Sequence, residues 1–453
     1  SLELHYKDML FLTIRARNDW SSTLPVENNS YFYPAVELSW IASDLSILKN
    51  NPVLSYLKFK GAIAQVGKDA TPYSIYPALQ ASEYYGGGYR YGWTGPNSAL
   101  KPEIQTQYEV GFEARLWGTR VNTDFTFYKT RCDDQIVNGF RASYATGFVL
   151  NNRNMGRFDN WGWEAHIDAD VLKNKNFTWN IGVNASRSYS KVVSLPDGIT
   201  EYYDAYTWVV DGIRNGIAPG NSITTLTVIP KKRNKDGKLI ISRTTGLPIS
   251  EAADVWKVYC DREPKLRFGI STMLRYKQFQ LSALFDGRLG ATVINGTGRW
   301  MWQRGMSESS VAWREGGSII FDGILDDEFV DTDNPTKNTI IVPLRLGGTD
   351  GTVIYPGMAE DWIERNVHYV RLQELRFTYK VHRQWLQKVT KGTLTDASIF
   401  VAGNDLVVFT NYTGLDVVGN SNSAALGGTG GFGIDNFSIP SPRGITFGLT
   451  LTF

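Results

Sequence analysis

Apolar and polar residues alternate with a period of two along most of this chain. The last nine residues show the pattern most plainly, because Ile445, Phe447, Leu449, Leu451 and Phe453 alternate with threonines and a glycine. Successive side chains of a β-strand point to opposite faces, so such a segment has one apolar and one polar face. The pattern predicts a strand either of a transmembrane β-barrel or of a soluble β-sandwich.

The same alternation recurs along the whole chain and predicts an all-β protein with about twelve strands of barrel length. The strands are expected near residues 9–20, 31–43, 54–67, 104–116, 119–131, 158–171, 177–193, 265–275, 279–292, 367–380, 394–409 and 442–453. Leu2 and Leu4 alternate with polar residues directly before the first of these, as though an earlier strand ended there.

The predicted connections alternate between short and long. Residues 117–118, 172–176 and 276–278 form tight turns, whereas long loops fall near 68–103, 132–157, 194–264, 293–366 and 410–441. Outer-membrane barrels have short periplasmic turns and long extracellular loops. Counting back from a periplasmic C-terminus places every long loop outside the cell. This regularity favours a transmembrane antiparallel β-barrel over a soluble sandwich.

Composition supports the barrel and excludes other classes. Aromatic residues make up 13% of the chain and glycines number 44, which suits interfacial aromatic girdles and closely packed strands. The sequence has no apolar run approaching the roughly 18 residues that a membrane helix needs. Charge is nearly balanced, with 47 Lys and Arg against 45 Asp and Glu, so nucleic acid is not an expected partner.

Motifs for catalysis and for metal or cofactor binding are missing from the sequence. The four histidines stand far apart, and neither HExxH, GxSxG nor a phosphate loop occurs. Cys132 and Cys260 have no ligand spacing, which leaves a disulfide and two unpaired thiols both open. The acidic stretch 326–333 lacks the EF-hand spacing, so a solvated loop is favoured over a calcium site. We expect no enzyme activity, no cofactor and no metal.

Several segments resemble the SusC-like TonB-dependent transporters of the outer membrane of Gram-negative cells. They are residues 17–25, 28–34, 39–40, 295–297, 301–302, 369–373, 412–416 and 439–443. The resemblance implies a barrel of about 22 strands, of which residues 1–453 are the C-terminal portion. It also implies a SusD-like surface lipoprotein as a lid, energy delivered by TonB, and a bilayer around the barrel.

The family's plug and TonB box do not occur in these residues. We therefore expect the plug and the N-terminal part of the barrel to lie in a separate or upstream segment, through which TonB would act. Phe453 is the expected signal for the barrel-assembly machinery, which reads an aromatic terminus in this class.

Two groups of residues are candidates for function. Arg15, Arg17, Asp19, Glu109 and Glu113 fall on the polar face of predicted strands, where they either contact a plug or line a solvated wall. The second group consists of loop aromatics, which stack on sugar rings, bury against a partner, or only pack the loops and the girdle. Its members are Tyr84, Tyr85, Tyr89, Tyr91, Trp93, Trp300, Trp302 and Trp313.

The expected function is import of a nutrient, an oligosaccharide or an oligopeptide, through a plugged barrel. A passive pore and an outer-membrane assembly scaffold are alternatives on the same fold. A barrel hydrolase would need a Ser/His/Asp cluster, and the sequence offers none.

Overall fold

A computed structural model describes residues 1–77, 79–81, 86–141, 147–206, 212–315, 317–343, 346–347, 352–353, 359–418 and 433–453. Only the backbone is described at residues 141, 204–206, 313–314, 346–347 and 352–353.

The large sheet has fourteen strands among the described residues, and thirteen of them form a continuous path in which each strand is antiparallel to the strands beside it. The fourteenth, Ile434–Asp435, pairs in parallel with the tenth strand of the path. The strands of the path are β1 (Leu2–Tyr6), β2 (Leu10–Trp20), β3 (Ser30–Ile41), β4 (Leu54–Lys68), β5 (Glu103–Leu116), β6 (Val121–Asp133), β7 (Arg157–Lys173), β8 (Phe177–Ser194), β9 (Leu266–Tyr276), β10 (Phe279–Asn295), β11 (Ile363–Lys380), β12 (Asp396–Thr410) and β13 (Gly444–Thr452). All twelve predicted strands are present, and β1 is an additional strand where Leu2 and Leu4 alternate.

The connections alternate between two ends of the sheet. One end of the sheet, the short-turn end, carries residues 7–9, 42–53, 117–120, 174–176, 277–278 and 381–395. The other end, the long-loop end, carries residues 21–29, 69–102, 134–156, 195–265, 296–362 and 411–443. Connection 21–29 at the long-loop end is nevertheless shorter than 42–53 and 381–395 at the short-turn end. The turn after β5 places Trp117 and Gly118 at φ values of 50° and 79°, which matches the twist of adjacent antiparallel strands.

Short strands and helices fold the long loops. The strands are Leu79–Ala81, Tyr89–Tyr91, Thr94–Gly95, Ile136–Arg141, Leu150–Asn154, Tyr202–Tyr206, Ile213–Ile217, Thr225–Val228, Ile240–Ile241, Lys257–Asp261, Ser318–Ile319, Ile324–Leu325, Val342–Pro343, Leu346–Gly347, Thr352–Val353 and Ile434–Asp435. The α-helices are Gly296–Gln303, Val311–Arg314 and Arg383–Val389, and the 3₁₀-helices are Val26–Asn28, Ala42–Asp44, Glu308–Ser310 and Ala359–Trp362. No helix in the described ranges has the length and apolar character to cross a membrane.

The two faces of the large sheet differ in chemistry. One face, the apolar face, is lined by large side chains that remain open to the surroundings, such as Val110 at 60% and Phe447 at 79% exposure. The opposite, polar face carries Lys, Arg, Asp and Glu on neighbouring strands, among them Lys58 and Glu113. Contiguous exposed apolar surface of this extent marks contact with lipid or with a partner.

Buried apolar side chains lie mainly at the long-loop end. A cluster of Ile213, Leu226, Val228, Ile294 and Ile434 joins the four-stranded sheet of loop 195–265 to the top of β10. Ile434–Asp435 of loop 411–443 pairs in parallel with β10, which brings Ile434 into this cluster. The described parts of loops 195–265 and 411–443 are thus packed against the sheet.

Candidate functional site on the polar face of the sheet

The first part of the site is a row of charges across β4, β5 and β6. Register places Lys58 opposite Glu113, and Glu113 opposite Asp124. Lys58 Nζ lies 3.4 Å from a Glu113 carboxylate oxygen, and Lys60 Nζ lies 2.9 Å from Asp124. Lys58 and Glu113 are oppositely charged side chains on adjacent strands and stabilise their pairing. Lys60 also lies 3.8 Å from Glu113, so its ammonium offsets the repulsion between Glu113 and Asp124.

The second part is a network centred on Arg371 of β11. Its guanidinium lies 2.8 Å from Asp286 of β10 and 3.1 Å from Asp405 of β12, and the Tyr369 hydroxyl donates to Asp286 at 3.1 Å. Asp405 sits at a register shift between β11 and β12 with φ of 50°. A bulge re-aims one side chain, and aspartate tolerates this left-handed conformation. The bulge thus gives Arg371 its second carboxylate.

A cavity of about 410 Å³ lies between these two parts of the polar face. Its polar lining includes Asp124, Glu164, His166, Arg267 and Arg288. Both signs of charge are present, so the wall offers hydrogen-bond donors and acceptors to a plug, to water or to a polar solute.

The predicted polar-face residues lie on the face that alternation assigned to them. Arg15 pairs with Glu37 at 3.5 Å, Arg17 donates to Asp19 at 2.6 Å, and Asp19 also accepts from Tyr33. Their contact with a plug stays a prediction.

Glu109 accepts a hydrogen bond from Gln107, whereas Glu113 joins the lysine row. Sequence reasoning missed Lys58, Lys60 and the Arg371 network. The sequence did contain a signal for them, because apolar and polar residues alternate in β4 and β11 with the same period of two as in the other strands.

The aromatic candidates fall into three groups. Tyr84, Tyr85 and the Trp313 side chain lie outside the described residues. Tyr89, Tyr91 and Trp93 are exposed at 77%, 60% and 62%, and Trp93 borders a cavity of about 430 Å³. Trp300 packs against the buried cluster below the loops, and Trp302 meets Trp362 edge to face at 6.1 Å. Exposed Tyr89, Tyr91 and Trp93 are therefore the better placed for an external partner.

Two segments quoted above for their resemblance meet in a buried polar network. Thr297 Oγ1 donates to one oxygen of Asp435 at 2.6 Å, and the Tyr412 hydroxyl donates to the other at 2.8 Å. Asn295 binds Glu364 at 2.8 Å and also contacts Thr413. Asp435 has no exposed surface, so its charge depends on these donors.

Burial and then the neighbouring Asp435 raise the pKa of Tyr412 above its ordinary value, so the phenol holds its proton and keeps donating. Burial likewise raises the pKa of the Cys260 thiol to about 11. Cys132 and Cys260 are both free, which resolves the alternatives left by the sequence.

The acidic stretch contacts a loop lysine. Asp331 accepts from the backbone of Lys235 at 3.1 Å, and Asp333 lies 3.3 Å from the same lysine's ammonium. No group of three metal-ligating side chains occurs among the residues that the structure describes.

Comparison with known proteins assigns the chain to a family. Residues 1–322 match the model described as "TonB dependent receptor-like, beta-barrel". The chain belongs to this TonB-dependent receptor barrel family. The predicted fold class and outer-membrane location are thereby confirmed, and the family is one of receptors and transporters rather than of enzymes.

Individual relatives of this receptor barrel agree with the family. TonB-dependent receptor P3 of Formosa agariphila is 24% identical over 99% of this chain and 44% of its own length. TonB-dependent receptor SusC of Bacteroides thetaiotaomicron is 23% identical over 97% of this chain and 42% of its own length. The chain thus spans less than half of the length of the curated relatives it matches.

A solved structure shares the fold of this receptor barrel. The RagAB peptide transporter superposes with a TM-score of 0.74 and 18% identity, over 100% of this chain and 47% of the solved chain. At this identity the similarity shows the fold alone.

Proposed function

We propose that the protein containing this chain imports an oligopeptide or oligosaccharide across the outer membrane. The charged polar face is the observation that carries the proposal. A face with both signs of charge, set on a receptor barrel wall, suits a plugged lumen that exchanges contacts as a solute passes.

The proposal includes an orientation. The short-turn end faces the periplasm and the long-loop end faces the cell exterior, so Phe453 lies at the periplasmic rim. The folded loops with exposed Tyr89, Tyr91 and Trp93 then meet the nutrient or a SusD-like lipoprotein lid first. Large aromatic side chains contribute contact area at low entropic cost, which suits either partner.

An oligopeptide is one candidate nutrient class, as for the RagAB peptide transporter whose fold this chain shares. An oligosaccharide remains the second candidate, since the exposed Tyr89, Tyr91 and Trp93 suit sugar rings equally well. In the proposed mechanism the plug fills the lumen against the Lys58 and Arg371 networks, and TonB supplies the energy that moves it.

Uptake in cells tests the proposal. A strain lacking the full-length gene is compared with the wild type for accumulation of labelled oligopeptides and oligosaccharides. We expect accumulation of one class to fall in the deletion strain and to recover on complementation. Depletion of TonB should give the same loss, whereas a passive pore would continue to conduct.

Purification supplies the second arm of the test. The full-length protein, tagged in an exposed loop and extracted in mild detergent, should retain one lipoprotein in fixed ratio. Unchanged uptake in both the deletion and the TonB-depleted strain would overturn the import proposal. Several stable partners without uptake would favour the assembly scaffold.

A further inference from the structure

Charged side chains interrupt the apolar face at the long-loop ends of β6, β7 and β8. This group, the rim patch, consists of Lys129, Arg131, Asp133, Arg157, Asp159, Arg187 and Lys191. Register shows that they share one face, because Arg131 lies opposite Asp159 and Asp159 lies opposite Lys191. Phe127 and Trp163 are on the same face two rows nearer the short-turn end. Arg187 starts from that row, opposite Trp163, and its guanidinium lies over the ring of Tyr189 at 4.5 Å, in the next row toward the long-loop end.

The face changes character in steps along these strands. Thr123, Ile167 and Val183 form a largely apolar row, and Lys129, Trp161 and Tyr189 form a row with two stacked aromatic rings 5.7 Å apart. The row of Arg131, Asp159 and Lys191 follows, and Arg187 approaches it from below through its long side chain. This order of apolar, aromatic and charged residues is that of a barrel surface crossing from hydrocarbon to headgroups.

The position of the patch fits the headgroup level. Asp159 lies ten residues along β7 from Ala169, which is the last residue of β7 paired with β6 at the short-turn end. At about 3.4 Å per residue and a tilt of about 40°, this separation is about 26 Å of height. The apolar band of an outer-membrane barrel is about 25 Å tall.

The rim patch has more cations than its carboxylates neutralise. Arg131 pairs with Asp133 at 2.6 Å, and Arg157 and Lys129 lie 2.9 and 3.9 Å from Asp159. Five basic and two acidic side chains leave three positive charges on three adjacent strands. At the same end of β10, β11 and β12 the apolar face carries Leu289, Val370 and Phe409, so the excess charge is local.

A groove of about 400 Å³ begins beside the patch. Val36, Ile63 and Tyr108 form its apolar part, while Thr106, Arg131 and its ion-pair partner Asp133 line its polar end. The groove therefore suits an amphiphile whose hydrocarbon lies along the strands and whose anionic group meets Arg131.

We infer that the rim patch and this groove bind a phosphorylated glycolipid of the outer leaflet. Its phosphate contacts Arg131, Arg187 and Lys191, and one acyl chain lies in the groove. Guanidinium and ammonium groups bind phosphate through charge-assisted hydrogen bonds, and basic patches at a bilayer surface attract anionic headgroups. The inference uses the orientation given under the proposed function, because the long-loop end must face the outer leaflet.

Binding of purified bis-phosphorylated lipid A to the full-length protein in detergent micelles tests the inference. The patch variant carries Arg131→Gln, Arg187→Gln and Lys191→Gln. Each lost cation near an anionic headgroup should weaken binding about fivefold, so the variant should bind about a hundredfold more weakly. The control variant removes three exposed cations at the short-turn end by Lys49→Gln, Arg383→Gln and Lys388→Gln.

Lipid A without phosphates provides the comparison ligand. The wild type should prefer the phosphorylated form, and the patch variant should lose that preference. Equal losses in both triple variants, or equal binding of both lipids by the wild type, would overturn the inference. If the patch variant fails to assemble, the single Lys191→Gln variant is measured against Lys49→Gln. Binding in micelles requires neither TonB nor a nutrient, so it fails or succeeds independently of the import proposal.

Discussion

Replacing Arg371 by methionine tests whether the polar wall is held by its ionic network. The change keeps much of the side chain's length but leaves the Asp286 and Asp405 carboxylates without their shared cation. Breaking a fully buried ion pair costs about 3–5 kcal/mol. The three side chains here are 15%, 27% and 22% exposed, so hydration reduces the cost and we expect about 2 kcal/mol.

The assay is urea unfolding of the full-length protein in detergent micelles, followed by tryptophan fluorescence. Arg376→Met is the matched control, because Arg376 lies on the same face of β11 and stacks on Phe400 at 3.8 Å. Loss of that contact should cost at most about 1 kcal/mol.

Neutralising both carboxylates should restore part of the loss. In the Arg371→Met background, Asp286→Asn together with Asp405→Asn removes the repulsion between uncompensated charges. The triple variant should therefore unfold at a higher urea concentration than Arg371→Met alone. Equal destabilisation by Arg371→Met and Arg376→Met, or no recovery in the triple variant, would refute the reasoning.

Three further predictions concern the loops. Tyr412→Phe should make the described segments 411–418 and 433–443 more sensitive to protease at neutral pH, since Asp435 loses a donor worth about 1–3 kcal/mol. In the wild type the raised pKa of Tyr412 means that this stabilisation is present below about pH 10 and is lost as pH rises further, a dependence that Tyr412→Phe should abolish. In a Cys132→Ser background, Cys260 should react slowly with iodoacetamide at neutral pH and faster up to its pKa of about 11; fast neutral reaction would contradict its burial. Trp93→Ala should lower uptake about tenfold if the loop contacts the nutrient or lid, whereas Trp385→Ala, an exposed tryptophan at the short-turn end, should leave uptake unchanged.

Strand positions were predictable because the two faces of the sheet differ in chemistry, so apolar and polar residues alternate with a period of two in each strand. The alternation around Glu113 identified β5, and Asp124 follows from the neighbouring strand by register alone. The alternation of Leu2 and Leu4 also indicated β1, although its five residues are fewer than the roughly nine to eleven of a typical transmembrane strand.

Side-chain partners within the site were less predictable. The contact between Arg371 and Asp405 depends on a bulge that shifts the register of β12, and nothing in the local pattern announces that shift. The contact of Asp435 with Thr297 joins residues 138 apart in sequence, and its contact with Tyr412 joins residues 23 apart. Such contacts arise from tertiary packing, whereas period-2 alternation reports only which face a residue occupies.

The unbroken antiparallel order of β1 to β13 has a consequence for how this wall can change. Deleting or inserting a single strand would reverse the direction of every later strand and move its loops to the opposite end of the sheet. Folded loops such as 195–265 would then lie at the end occupied by tight turns. Strands of this sheet can therefore be gained or lost only in pairs, that is, as whole hairpins. The same restriction applies to any sheet in which each strand pairs with the strands next to it in sequence.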